Sequence, residues 1–161
     1  MQLSISCVGK MKAGPERELL ERYTERLHNS GGSVGLSWGA VREIPESRAS
    51  NAHARKTEEA SSLLSTLKHS NSCVIALDEN GRDLSSEDWA NLIGSERDRG
   101  RPGCTLFIGG ADGHGDELLK RADYKLRFGK QTMPHQIVRI LAAEQLYRVC
   151  TILAGHPYHR S

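Results

Sequence analysis

The sequence predicts an α/β protein with a mainly parallel sheet and helices on both faces. Short apolar runs typical of strands alternate along the chain with longer segments of helical periodicity, and short turns join them. Two of these runs, residues 73–78 and 105–110, are almost continuously apolar, which is typical of central strands buried on both faces. A chain of 161 residues suits one compact domain, so we expect a single domain over residues 1–161.

The first half of the chain is expected to form two strands and two helices. Apolar residues recur with helical spacing in two segments, and Gly or Pro residues mark where the first of them begins and ends. The expected elements are a strand at residues 3–8, a helix between Pro15 and the glycines of 29–32, a weaker extended segment at 34–44 and a helix at about 52–68.

The second half continues the same alternation. The strand at 73–78 is expected to end at an Asn80-Gly81 turn. The run Ser85-Ser-Glu-Asp88 resembles a capping box and opens a helix that buries Trp89. The remaining expected elements are a strand at 105–110, a glycine-rich turn at 109–115, a short helix at 116–121, a strand at 124–128 and a long helix at 134–153.

The last helix is apolar around most of its circumference. Its polar residues form two narrow strips, His135 with Arg139 and Glu144 with Arg148. A helix with so little polar surface must be covered on more than one side. The sheet covers one side, and a second copy of the protein is the expected cover for the other, so we expect a homodimer. The alternative is a central helix wholly inside one domain.

Composition excludes several classes of protein. No apolar run approaches the roughly 20 residues of a membrane helix, and the N-terminus lacks the features of a signal peptide, so a cytoplasmic protein is expected. The four cysteines are scattered in apolar segments and are expected to be buried free thiols. Residues 117–161 hold eight Lys and Arg against three Asp and Glu, a surface that faces either polyanions or solvent.

Ligand contacts are expected beyond the carboxyl ends of the strands, at 77–78, 108–110 and 128–133. The glycines at 109–115 either admit a ligand close to the backbone or serve only tight turns. They match neither a P-loop nor a dinucleotide fingerprint, so a nucleoside held by main-chain groups fits better than a triphosphate or NAD. The terminal residues 156–161 bring together two imidazoles, a phenol and a guanidinium, which suit a nucleotide better than a metal ion.

A series of short motifs stands in a specific order along nearly the whole chain. They are Val8-Gly-Lys-Met-Lys12, Ile44-Pro45, Leu77-Asp-Glu-Asn-Gly81 with Ser85-Ser86, Phe107-Ile-Gly-Gly-Ala-Asp-Gly113, Thr132-Met-Pro-His-Gln136, Arg139, Glu144-Gln-Leu-Tyr-Arg148 and the ending His156-Pro-Tyr-His-Arg160. In combination they resemble the ribosomal RNA large-subunit methyltransferase H family of the SPOUT, or α/β-knot, class.

The resemblance implies a trefoil knot near the C-terminus and methylation of N3 of a pseudouridine in 23S rRNA, in the assembled ribosome, with S-adenosyl-L-methionine as methyl donor and no metal. The implied donor-binding residues are Leu77, Gly109, Phe128, Gly129, Lys130, Gln131, Thr132 and Met133. The implied catalytic residues are those of the C-terminal tail, Tyr158, His159 and Arg160. In such dimers the tail of one subunit helps to complete the site of the other.

Methylation of N3 requires removal of its proton, for which His159 is the first candidate base and Asp78 and Glu144 are alternatives. Glu144 is otherwise expected to pair with Arg148 one helical turn away. His135 and Arg139 are candidates for binding the RNA substrate. Two other functions stay open at this point: a SPOUT methyltransferase acting on tRNA, and a non-catalytic RNA-binding module associated with the ribosome.

Overall fold

The computed structural model describes residues 1–159, and its strands form one sheet. The strands are β1 (Gln2–Val8), β2 (Ser37–Ile44), β3 (Cys73–Asp83), β4 (Gly103–Ile108) and β5 (Tyr124–Arg127). They lie in the order β2-β1-β4-β3-β5, and every neighbouring pair is parallel. The predicted parallel sheet is therefore confirmed, and all its strands end at the same edge.

The helices cover both faces of this sheet, as predicted. They are α1 (Pro15–Gly31), α2 (Ala52–Leu64), α3 (Ser86–Asp98), α4 (Asp116–Arg121) and α5 (His135–Leu153). Helices α1, α3 and α5 pack together on one face, and α2 and α4 pack together on the other. Each face has its own apolar cluster, and successive residues of β3 alternate between them: Ile75 faces the first cluster, whereas Val74 and Ala76 face the second.

Several element boundaries differ from the predictions. Residues Gly32–Val34 form a short 3-10 turn, so the extended segment begins only at Ser37. Helix α2 ends at Leu64 rather than near residue 68, because the N–H groups of Thr66 and Leu67 donate to carbonyls only three residues back, which takes the backbone out of the α-helix. Strand β5 ends one residue early, and α5 begins just after Pro134.

Strand β3 does not end at Asp78. Its pairing with β5 breaks after Leu77 and resumes at Arg82, so the residues between them bulge out of the ladder. Glycine permits the return to the ladder, because a Cβ on Gly81 would lie 2.5 Å from the backbone of Leu126. The bulge stands at the carboxyl edge of the sheet, where ligand contacts were expected.

Helix α5 is covered largely by its own chain. It packs between α1 and α3 and lies over β1 and β4. Elements of the same chain therefore cover most of the helix, as the alternative of a central helix inside one domain implies. What stays partly open is a narrower stripe along the helix, containing Ile137, Leu141, Glu144, Arg148 and Ile152. Ile137 is 40% exposed and is the one exposed large apolar side chain among residues 1–159.

The cysteines are buried and unpaired, as predicted. Burial raises the pKa of Cys7 to about 11 and that of Cys150 to about 12, so these thiols stay protonated at neutral pH. Within residues 1–159, no helix is both long and apolar enough to cross a bilayer.

Candidate functional site

A cavity of about 580 Å³ opens at the carboxyl ends of β3, β4 and β5. It is lined by Leu77, where β3 leaves its ladder with β5, by Ile108, the last residue of β4, and by Phe128, just beyond β5. Its volume lies within the usual range for small-molecule sites. Because all five strands are parallel, these three strand ends meet at one edge of the sheet, as the sequence predicted for a ligand site.

Every residue predicted to bind the methyl donor lines this one cavity. They are Leu77, Gly109, Phe128, Gly129, Lys130, Gln131, Thr132 and Met133. His135, a candidate RNA-binding residue, lines it as well and is exposed at the start of α5. The structure thus brings together segments that lie far apart in the chain.

Main-chain groups form part of the cavity wall because glycines stand at its tightest points. A Cβ on Gly109 would lie 3.0 Å from the backbone of Gly113, so even alanine would displace the glycine-rich loop. Gly129 has a φ of +109°, a conformation that residues with a side chain rarely adopt. These constraints fit a wall that presents backbone amides and carbonyls to a ligand.

The loops around the cavity are held by bidentate arginine contacts. Arg55 of α2 donates to both carboxylate oxygens of Asp112, over 2.6 and 3.1 Å, and this hydrogen bonding lowers the pKa of Asp112. Arg127 donates twice to one oxygen of Asp83, over 2.7 and 3.1 Å, and once to the carbonyl of Glu79. Asp112 and Arg127 line the cavity, so these contacts tie its wall to α2 through Arg55 and to β3 through Asp83.

An aromatic stack supports the loop that begins at Phe128. Its ring stacks on the buried Trp89 of α3, with centroids 5.8 Å apart and planes tilted by 13°. Trp89 is the fourth residue of the helix that the Ser85 capping box opens, and both reciprocal hydrogen bonds of that box are present. The predicted helix start therefore positions one wall of the cavity.

The cavity carries charges of both signs. Asp78 and Glu79 supply carboxylates from the bulge of β3, whereas Lys56, Lys125 and Lys130 supply ammonium groups. In the part of the chain that the structure describes, none of the three lysines forms an ion pair, so these cations remain available to an anionic ligand.

His114 is a cavity residue that sequence reasoning missed. Its side chain is buried, at 3% exposure, and its Nε2 lies 3.1 Å from the carbonyl oxygen of Leu77. Its Nδ1 is buried and has no hydrogen-bond partner among residues 1–159. Burial lowers the pKa of the imidazole, whereas the charge of Asp78 and the backbone groups of Leu77 and Phe107 act against this shift. The glycine-rich run contains this histidine, but no spacing in the sequence distinguishes it.

The C-terminal tail lies against α3 and α5 of its own chain. Tyr158 donates a hydrogen bond to Glu144 over 3.1 Å, and the guanidinium of Arg148 stands 4.9 Å from the centre of its ring. His159 contacts Glu87 over 2.5 Å through Nε2, and its Nδ1 lies 3.4 Å from Arg148. Neither tail residue is among those that line the cavity. Arg160, the third predicted tail residue, lies outside the described residues.

Two of the other candidate residues serve the structure of α5. Glu144 forms the predicted ion pair with Arg148, over 2.5 and 3.0 Å. Arg139 does not face the cavity: its side chain is 3% exposed, pairs with Glu43 over 3.1 Å and donates to the carbonyls of Val8 and Gly9. The chain's own acceptors therefore occupy this guanidinium, and the expectation that it holds an RNA phosphate finds no support in its position. Within residues 1–159, no cluster of three metal-ligating side chains occurs.

Comparison with known proteins identifies the family. A family model described as "Predicted SPOUT methyltransferase" matches residues 1–159. Proteins named ribosomal RNA large subunit methyltransferase H are similar over the whole length: the one from Rhizobium leguminosarum bv. trifolii is 53% identical over 160 residues, covering 99% of both chains. Those from Mesorhizobium japonicum and Brucella anthropi are 52% and 53% identical over 161 residues, covering 100% of both chains.

Among solved structures, a distant likeness links the chain to the SpoU methyltransferase AviRb from Streptomyces viridochromogenes, crystallised in complex with the cofactor AdoMet. It has 12% identity and a TM-score of 0.38, with 92% of this chain and 59% of the other covered. A likeness of this size supports no argument about the site. The family model that matches residues 1–159 and the relatives with about 50% identity show the family instead. The chain belongs to the SPOUT methyltransferase family, in the group of ribosomal RNA large subunit methyltransferase H.

Proposed function

We propose that this protein transfers a methyl group from S-adenosyl-L-methionine to N3 of a pseudouridine in 23S rRNA, in the assembled ribosome. The observation that carries the proposal is a cavity at the carboxyl edge of the sheet that gathers every predicted donor-binding residue, in a chain of the SPOUT methyltransferase family. The names of the relatives support ribosomal RNA as the substrate.

The residues of the cavity fit this donor. Apolar side chains, among them Leu77, Ile108 and Met133, suit the adenine ring, and the glycine-bounded backbone supplies donors and acceptors for its edge. The carboxylates of Asp78 and Glu79 suit the positively charged groups and the ribose hydroxyls of the donor. The lysines suit the donor's carboxylate or an RNA phosphate. When bound, the donor supplies an activated methyl group on its sulfonium.

The protein must then orient the base and accept the N3 proton. We assign the role of accepting the N3 proton to His159. Asp78 is the alternative, because its side chain already lies at the cavity. Tyr158 is unsuited as a base, because burial, followed by the charge of Glu144, raises its pKa to about 12. Its hydroxyl holds the tail on α5 instead. His159 contacts Glu87 and Arg148 in this structure, so it must exchange one of these contacts to reach a substrate.

The proposal includes a homodimer in which the tail of one protomer completes the cavity of the other. Tyr158 and His159 of the tail do not line their own chain's cavity, and the partly open stripe of α5 contains Ile137, an apolar side chain with 40% exposure. The stripe passes directly under the tail, because Tyr158 binds Glu144 and Arg148. A partner protomer bound to this stripe would contact both the stripe and the tail. A single domain over residues 1–161, the C-terminal knot and a cytoplasmic location belong to the same proposal.

Calorimetry and methylation assays test the proposed reaction. We expect S-adenosyl-L-methionine to bind the purified protein, and radiolabelled methyl groups to appear on the 23S rRNA of assembled ribosomes whose pseudouridines are in place. Ribosomes that already carry the methyl group are the matched control and should accept none. A protein of this size has little surface for reading sequence, so free 23S rRNA should be a poorer substrate.

The same assays separate the alternatives. Methyl transfer to tRNA in preference to ribosomes would favour a SPOUT methyltransferase with a different substrate. Ribosome binding without any binding of the donor would favour a non-catalytic RNA-binding module and contradict the proposal.

A further inference from the structure

His114 joins the two walls of the cavity. It lies in the glycine-rich loop that begins at Gly109 after β4, and its Nε2 reaches the carbonyl of Leu77 on β3, over 3.1 Å. Leu77 is the last residue of β3 that pairs with β5 before the bulge. The contact therefore lies where β3 leaves the ladder, directly before the carboxylates of Asp78 and Glu79.

The partners of the ring determine its tautomer. A carbonyl oxygen can only accept a hydrogen bond, so Nε2 must carry the proton, and the neutral ring then leaves a lone pair on Nδ1. This Nδ1 is buried without a hydrogen-bond partner among residues 1–159. An unpaired buried polar atom is costly. An apolar side chain would fill the space without that cost but could not hold the carbonyl of Leu77.

We propose that His114 is a positioning residue for the methyl donor: its Nε2–H holds the carbonyl of Leu77 and so fixes the glycine-rich loop after β4 against the point where β3 leaves its ladder with β5. The inference rests on the proposed function, because it assumes that the donor binds between Leu77 and Gly109. His114 itself touches no reacting atom. Its effect should therefore appear in donor affinity and not in the chemical step.

Two substitutions separate the hydrogen bond from the packing. In His114→Gln the amide nitrogen stands close to the place of Nε2 and keeps a donor, whereas His114→Met keeps the volume and removes the donor. We expect His114→Met to bind S-adenosyl-L-methionine at least about tenfold more weakly, or about 1.4 kcal/mol. His114→Gln should stay within about threefold of the unchanged protein. His53→Gln, an exposed histidine on α2, is the matched control.

Kinetics distinguish positioning from a general loss of structure. For His114→Met we expect a higher KM for the donor, a kcat at saturating donor close to that of the unchanged protein, and an unaltered KM for the ribosome. Equal donor affinities in the Met and Gln variants would overturn the proposal, as would a loss confined to kcat. If the unchanged protein bound no donor at all, the proposed function would fail instead.

A spectroscopic measurement on the unchanged protein covers the case in which His114→Met does not fold. Nitrogen-15 labelling of the histidines, with assignment by His114→Gln, reports which ring nitrogen carries the proton. We expect a neutral ring protonated at Nε2 near pH 7 whose resonances shift when the donor is added. A ring protonated only at Nδ1, or resonances insensitive to the donor, would contradict the assignment.

Discussion

At the scale of single residues, the absence of a side chain matters as much as its presence. Gly109 stands so close to the loop it opens that a Cβ would lie 3.0 Å from the backbone of Gly113. Arg139 shows the opposite case, because a cation that could have faced RNA is instead buried against Glu43 and two carbonyls. Residue type alone does not tell whether a residue belongs to a ligand site or to the packed interior. Its neighbours in the folded chain decide this.

Gly109 gives a prediction at this scale. In Gly109→Ala the new methyl group must push the glycine-rich loop by a few tenths of an ångström, which narrows the backbone wall. We expect donor affinity to fall about tenfold, with a larger loss in Gly109→Val. Calorimetry measures the affinity and thermal melting checks the fold. Gly32→Ala is the control, because nothing lies within 4 Å of its Cβ. Unchanged affinity in Gly109→Val would show that the donor does not approach this wall.

At the scale of elements, α3 and α5 connect the core to the site. The capping box at Ser85 begins α3, whose Trp89 supports Phe128 and whose Glu87 contacts the tail. Helix α5 begins beside the cavity at His135 and carries, about two and a half and three and a half turns further on, the ion pair of Glu144 and Arg148 that holds Tyr158. These two helices thus hold both the cavity loop that begins at Phe128 and the described residues of the tail.

A charge on the open stripe of α5 tests the proposed interface. Because Ile137 is already 40% exposed, Ile137→Glu should leave the fold intact while placing a charge between two protomers. We expect sedimentation to show a monomer that still binds the donor but transfers no methyl group. Thr57→Glu, an exposed position of α2 on the other face of the sheet, should remain dimeric and active. A monomeric Ile137→Glu variant with full activity would contradict the proposed interface.

At the scale of the whole molecule, the tail and the cavity, which we propose to act in one reaction, lie at different places in the structure. Tyr158 and His159 rest on α5 and α3, and neither lines the cavity at the carboxyl edge of β3, β4 and β5. A second copy of the chain is the simplest way to bring a tail to a cavity, because a two-fold dimer supplies each site with the other protomer's groups.

Mixed dimers test this arrangement. One protomer carries His159→Ala and its partner carries Gly109→Val, and two affinity tags isolate the mixed species. If the tail acts across the dimer, one of the two sites is intact and the mixed dimer should show about half the activity of the unchanged dimer. Dimers in which both protomers carry the same substitution are the controls and should be nearly inactive. An inactive mixed dimer would mean that each tail serves its own chain.

Much of the fold could be predicted because the signals are local. The alternation of strands and helices, the short helix at Asp116–Arg121 and the capping box at Ser85 depend on patterns within a few residues. Boundaries were less accurate where distant contacts decide them. Strand β3 runs past Asp78 because β5 pairs with it again at Arg82, and no pattern around residue 78 reveals the position of β5.

The sequence by itself determined the order of the elements, the parallel sheet, the strand ends that line the cavity and the family motifs. Only the tertiary structure decided that α1 and α3 cover α5, that Arg139 is buried and that His114 reaches Leu77. The physical reason is that periodicity, capping and turns are properties of neighbouring residues. Coverage, burial and hydrogen bonding across strand ends depend instead on residues that meet only when the chain has folded.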